Sequence, residues 1–143
     1  MVGVDKRHGR MQPHTGLDLE APKGTAVLAA APGIVEKTMN HSTAGGVVIL
    51  FHPSTDLYSA YVHLRNIEVT IGRHVLRGQT LGEVGVFPDS GGVSHLHWEV
   101  CTARHCGSRI DPDFRNLRCL EEKRPANKLG FTLPLRCTKK VRS

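Results

Sequence analysis

The 143-residue sequence has no long hydrophobic run. Its longest uninterrupted apolar stretch, 26–31, is about a quarter of the ~20 residues that a bilayer-spanning helix needs. No transmembrane helix is expected. An apolar signal-peptide core is also missing from the first twenty residues, which carry Asp5, Lys6, Arg7, Arg10, Asp18 and Glu20. That start fits a mature fragment, an intracellular protein or a protein exported by another route. There is no Cys-x-x-Cys, which excludes the common zinc-ribbon and thioredoxin spacings. No segment before residue 113 keeps a 3.6-residue apolar period for three turns, so a helical bundle is excluded. Internal repeats and low-complexity tracts are absent. With 39% hydrophobic and 22% charged residues the composition is ordinary for a globular domain, not a disordered chain. A chain of this length buries roughly 70% of its surface on folding, enough for a core.

Short apolar segments at 26–31, 33–37, 46–51, 57–64, 79–84 and 96–101 alternate with turns at Pro22, Gly24, Pro32-Gly33, Gly45-Gly46, Gly72, Gly78 and Gly91-Gly92. This pattern predicts an all-β protein with a compact antiparallel core. A short helical turn is expected over 112–120, with Asp111 as its cap and Pro112 at its first position. The expected organisation is a folded core over 1–117 and a C-terminal extension over 118–143.

Charge divides the chain at the same place. Residues 1–117 hold 11 Lys/Arg and 11 Asp/Glu, whereas 118–143 hold 8 basic residues against Glu121 and Glu122. The whole net charge of +6 therefore sits in the extension. It can attract an anionic partner or be a solvated terminus. Alternatively it packs on the core through the alternating apolar residues Leu129, Phe131, Leu133 and Leu135. Only Phe131 accompanies these charges, so stacking on nucleic-acid bases is poorly provided for, and no nucleic-acid partner is expected. All four cysteines, Cys101, Cys106, Cys119 and Cys137, lie after residue 100. Two disulfides in an oxidising compartment are the preferred reading over four reduced thiols. Of the three possible pairings, Cys101–Cys106 would close a hairpin and Cys119–Cys137 would pin the tail.

Nine histidines raise the question of which converge. In His14-Thr15-Gly16-Leu17-Asp18 an extended backbone puts His14 and Asp18 on one face, and imidazole with carboxylate is ordinary zinc chemistry. In His95-Leu96-His97-Trp98-Glu99-Val100 the same alternation puts His95, His97 and Glu99 on one face and the apolar trio on the other. In Tyr61-Val62-His63-Leu64 it places Tyr61 with His63 and Val62 with Leu64. The remaining histidines, His8, His41, His52, His74 and His105, read as surface or structural.

The ordered set His-x-x-x-Asp, Tyr-x-His-Leu and His-Leu-His-aromatic-Glu-Val resembles the lysostaphin-type (LytM-like) zinc metallopeptidases, which cut peptidoglycan. The stretch HTGLDLEAPKGTAVLAAAPGIV, the turn from Gly72 to Gly82 and Asp111-Pro112 also resemble that family. The similarity covers roughly residues 3–113. It implies one zinc ion per chain, held by His14, Asp18 and His97, with His63 and His95 acting on the substrate. Two imidazoles and one carboxylate leave a fourth position open, as in a catalytic centre. It further implies a monomeric endopeptidase of peptidoglycan cross-links or stem peptides, acting outside the cytoplasm. Trp98 replaces the usual Phe, and Gly92-Val93-Ser94 stands where Thr-Gly-Pro is frequent. Alternatives on the same fold are carboxypeptidase-type trimming, cleavage of Gly-rich proteins, or a non-catalytic wall-binding regulator. The five filled positions argue against the last.

Overall fold

A computed structural model describes residues 10–12, 16–106, 108–111, 116–123 and 125–137. Its strands are β1 (Arg10–Gln12), β2 (Gly16–Glu20), β3 (Ala26–Leu28), β4 (Gly33–His41), β5 (Gly45–His52), β6 (Leu57–Arg65), β7 (His74–Val75), β8 (Thr80–Val84), β9 (His95–Cys101) and β10 (Arg109–Ile110). They form one sheet whose main path runs β1-β2-β9-β6-β5-β4-β7. β10 pairs with β9, and β8 joins β3 to β6. Every strand pair is antiparallel. Among the described residues there is no α-helix, only 3-10 turns such as Pro88–Ser90 and Arg104–Cys106. Of the helical turn expected over 112–120, residues 112–115 lie outside the described residues, and the described remainder, 116–120, holds no α-helix. The all-β expectation is borne out.

β2, β6 and β9 position the site. Leu17 and Leu19 on β2 pair with Trp98 and Leu96 on β9, and all four are fully buried. Tyr61 on β6 pairs with Trp98 from the other side and is also fully buried. Burying these side chains on one face sends Asp18, His95 and His97 to the opposite one. Gly16 lets β2 lie this close. Its φ is 101°, and a Cβ there would collide with the Trp98 carbonyl and with Glu99 Cγ.

The extension shares the core. Phe131, Leu133 and Leu135 are at most 1% exposed and pack with Leu117 and the strand residues of the core in a single apolar cluster. Phe131 meets Trp98 and His52 edge-on, with ring centroids 5.7 and 5.1 Å apart. Backbone bonds tie Leu28 N–H to the Pro134 carbonyl at 2.7 Å and Thr132 N–H to the Ala30 carbonyl at 2.9 Å. Arg77 adds side-chain bonds to the Ala30 and Gly130 carbonyls. The two expected disulfides, Cys101–Cys106 and Cys119–Cys137, are both formed.

Under this layer lies a buried polar chain. His52 Nδ1–H donates to the Pro32 carbonyl at 2.8 Å, and the Ser59 hydroxyl bridges His52 Nε2 and the Tyr61 hydroxyl. Tyr61 accepts from Ala30 N–H at 3.0 Å. Each partner satisfies another, which removes the penalty of burying them. Burial pushes the His52 pKa down, outweighing its bond to Pro32. His52 is thus a structural histidine, as the sequence suggested.

Candidate active site

Register sets the first half of the site. On the β2–β9 pair Asp18 lies opposite His97 and Glu20 opposite His95. Asp18 Oδ1 is 2.7 Å from His97 Nδ1 and 3.7 Å from His95 Nε2. The second ring nitrogen of His97 is 2.8 Å from Glu99 Oε1. Burial alone would lower the His97 pKa. The hydrogen bonds and charges of Asp18 and Glu99 outweigh it and raise the pKa to about 9 without a metal.

His63 arrives by another route. The β5–β6 register pairs Val47 with Val62 and Gly46 with Leu64, which leaves His63 as the extra residue of a β-bulge. Its φ is 72°, in the left-handed region that a histidine adopts only when its surroundings require it. The bulge comes where β6 leaves β9 at Val62 and joins β8 at Leu64. Alternation is broken there. Tyr61 points into the core, while the His63 ring packs against His95 and His97, with centroids 4.9 and 6.3 Å apart. The expectation that Tyr61 and His63 share a face is therefore corrected.

Two carbonyls fix the ring orientations. The Ala44 carbonyl is 2.8 Å from His63 Nδ1, and the Val93 carbonyl is 3.1 Å from His95 Nδ1. A carbonyl only accepts, so each Nδ1 carries the hydrogen and each neutral ring keeps its lone pair at Nε2. Burial, joined by the neighbouring imidazoles of His95 and His97, holds the His63 pKa below its ordinary value despite the bond to Ala44. His63 is consequently neutral at neutral pH.

Asp18, His63, His95 and His97 are thus brought together. His14 lies outside the described residues. An imidazole nitrogen and a carboxylate oxygen 2.7 Å apart fit zinc as a donor set. A second group of ligating side chains, Glu99 with Cys101 and Cys106, is no competitor, because both sulfurs are tied in a disulfide. The reading of the sequence missed the Ala44 and Val93 carbonyls and the contact from Arg109 Nε to Glu99 Oε2 at 2.9 Å. Alternation had put Glu99 on the right face; nothing in the sequence pointed to Arg109.

The model of Peptidase family M23 matches residues 12–112. The chain belongs to this family. As an M23 peptidase domain it is 40% identical over 93 residues to the peptidoglycan DD-endopeptidase ShyA of Vibrio cholerae, a match covering 64% of this chain and 21% of ShyA. Among solved M23 relatives, the catalytic domain of lysostaphin from Staphylococcus simulans superposes with a TM-score of 0.61 at 25% identity, covering 69% of this chain and 75% of that one. A zinc-containing peptidase from Vibrio cholerae superposes with a TM-score of 0.56 at 31% identity, covering 70% of this chain and 32% of that one. The lysostaphin-type resemblance is confirmed. The chain spans about a fifth of the length of ShyA.

Proposed function

We propose that this M23 chain is the catalytic part of a zinc-dependent endopeptidase that hydrolyses peptide bonds in peptidoglycan cross-links or stem peptides. The observation that carries this reading is the convergence of Asp18, His97, His63 and His95 on one face of the sheet, with two imidazoles keeping Nε2 open beside the two ligand donors. His14, Asp18 and His97 hold one zinc ion. Bound there, zinc supplies Lewis-acid polarisation of the scissile carbonyl and acidifies water.

The chain's own groups do the rest. His63, neutral and buried, accepts the proton of the attacking water at Nε2. Relayed to Nε2 of His95, that proton lets the ring donate a hydrogen bond to the developing oxyanion, and it then passes to the leaving amine. General acid–base help of this kind is worth roughly 10²–10⁴-fold. The reverse division of labour between the two histidines uses the same atoms.

The peptidoglycan substrate is supported by what the name of ShyA says of that relative. An extracytoplasmic location is supported by the two disulfides, which persist in oxidising compartments. Among the described residues no helix is long and apolar enough to cross a membrane. We assign 1–117 as the catalytic domain and 118–143 as a C-terminal extension whose described apolar residues, Phe131, Leu133 and Leu135, dock on it, the chain working as a monomer. Phe131 is fully buried and cannot stack on a base, which supports a function without nucleic acid.

The test is metal content with turnover. The purified chain should carry about one zinc, and His97→Ala should lose zinc and activity together. Full zinc occupancy in that variant would overturn the ligand assignment.

A further inference from the structure

Glu99 is a buried carboxylate with both oxygens engaged. Oε1 lies 2.8 Å from His97 Nε2, and Oε2 lies 2.9 Å from Arg109 Nε. Its side chain is 9% exposed, against 38% for Arg109. Glu99 Cγ fills the space that a side chain at residue 16 would take, so the glycine of β2 and the rotamer of Glu99 fit each other. Arg109 is placed by the β9–β10 hairpin, where it pairs with Cys101. The Cys101–Cys106 disulfide and the Thr102 N–H to Ser108 carbonyl bond at 2.9 Å close that hairpin. The result is a continuous chain of contacts, Arg109–Glu99–His97–Asp18.

We propose that the Glu99–Arg109 pair is a positioning device for His97, which sets how tightly this chain holds its metal. The inference rests on the reading of Asp18 and His97 as zinc ligands. A ring that offers its Nδ1 lone pair must carry its hydrogen on Nε2, and Glu99 Oε1 stands where that hydrogen points. The carboxylate therefore selects the binding tautomer and fixes the ring plane. Arg109 in turn prevents Glu99 from rotating away, because its Nε–H holds the second oxygen. Carboxylates behind metal-bound histidines act in this way, and losing one typically costs 10–100-fold in affinity.

The experiment measures zinc affinity of the full chain by competition with a chelator, after metal has been stripped and its removal checked. Glu99→Gln keeps the shape but turns one oxygen into an NH2. That group must face either the Arg109 Nε–H or the His97 Nε2–H, so one contact is lost. Arg109→Met removes the anchor while leaving Glu99 and His97 in place, and Arg109→Lys restores the charge with a single donor. We expect a loss of roughly 10–100-fold in zinc affinity for Glu99→Gln. Arg109→Met should lose about tenfold and Arg109→Lys should recover part of it, with urea midpoints of the metal-free proteins unchanged for both Arg109 variants. The visible spectrum of the cobalt-substituted protein should change in Glu99→Gln, which a loss confined to folding would not produce. If wild type binds zinc but Arg109→Met binds it equally well with an unaltered cobalt spectrum, the positioning role is refuted. If wild type itself binds no zinc, the ligand assignment fails instead.

Discussion

Replacing Phe131 with alanine asks whether the extension is part of the folded unit. The ring is fully buried, and it meets Trp98 and His52 edge-on at 5.7 and 5.1 Å. Trp98 is on β9, the strand that carries His95 and His97, so the cavity would open directly beneath the site. Phe→Ala in a core costs about 3–5 kcal/mol, covering both lost transfer energy and the void left behind. The edge-on contacts lie at the separations where such pairs add about 0.5–1.5 kcal/mol beyond area, which favours the upper part of that range. The unfolding entropy is about 2.1 cal/mol/K per residue, or about 300 cal/mol/K for 143 residues. Dividing gives a fall in Tm of about 10–17 °C. Differential scanning calorimetry of the disulfide-intact protein is the assay, with near-ultraviolet circular dichroism to follow Trp98. Neutralising exposed Lys128 should shift Tm by no more than about 2 °C. A Phe131→Ala protein that melts within about 3 °C of wild type would refute the docked extension, since no core phenylalanine is that dispensable.

Other outcomes follow from the same geometry. His63→Ala and His95→Ala should keep zinc but lose roughly two to four orders of magnitude in turnover; loss of zinc in either would show a ligand in place of an acid–base group. Titration of the denatured, unreduced protein should find no thiols, because the four cysteines form two bridges; four reactive thiols would defeat both. Acid stability should report His52: its folded pKa lies below 6.5, so the unfolded chain binds more protons and stability is lost as pH falls from 6.5 toward the folded value. Melting curves of His52→Gln should show a shallower decline over that window, and an equal slope would remove His52 from the explanation. In the metal-free chain His97 acts in the other direction. Its pKa is raised to about 9, so its stabilisation is complete below pH 6.5 and is lost as pH climbs through 9, which thermal melts of the stripped protein check.

The sequence disclosed the histidine face of β9 because one rule governs it. Period-two alternation with the apolar set Leu96, Trp98 and Val100 inward leaves His95, His97 and Glu99 outward. The same rule failed at His63, because a bulge at the change of partner strands shifts the face by one residue and alternation carries no mark of a bulge. The apolar positions 131, 133 and 135 were visible, yet their landing place beside Leu28 and Ala30 depends on tertiary contacts more than 100 residues apart in sequence. Arg109 was invisible for a similar reason. Its approach to Glu99 follows from the β9–β10 register, and a two-residue strand has too little pattern to announce itself.

The most direct measurement is mass spectrometry of the muropeptides left after zinc-loaded chain digests purified sacculi, run beside His95→Ala. The account predicts that cross-linked or stem peptides are cut with the gain of one water per bond, and that the variant, still zinc-loaded, leaves them nearly intact. Sacculi unchanged by a fully zinc-loaded wild-type chain would contradict it.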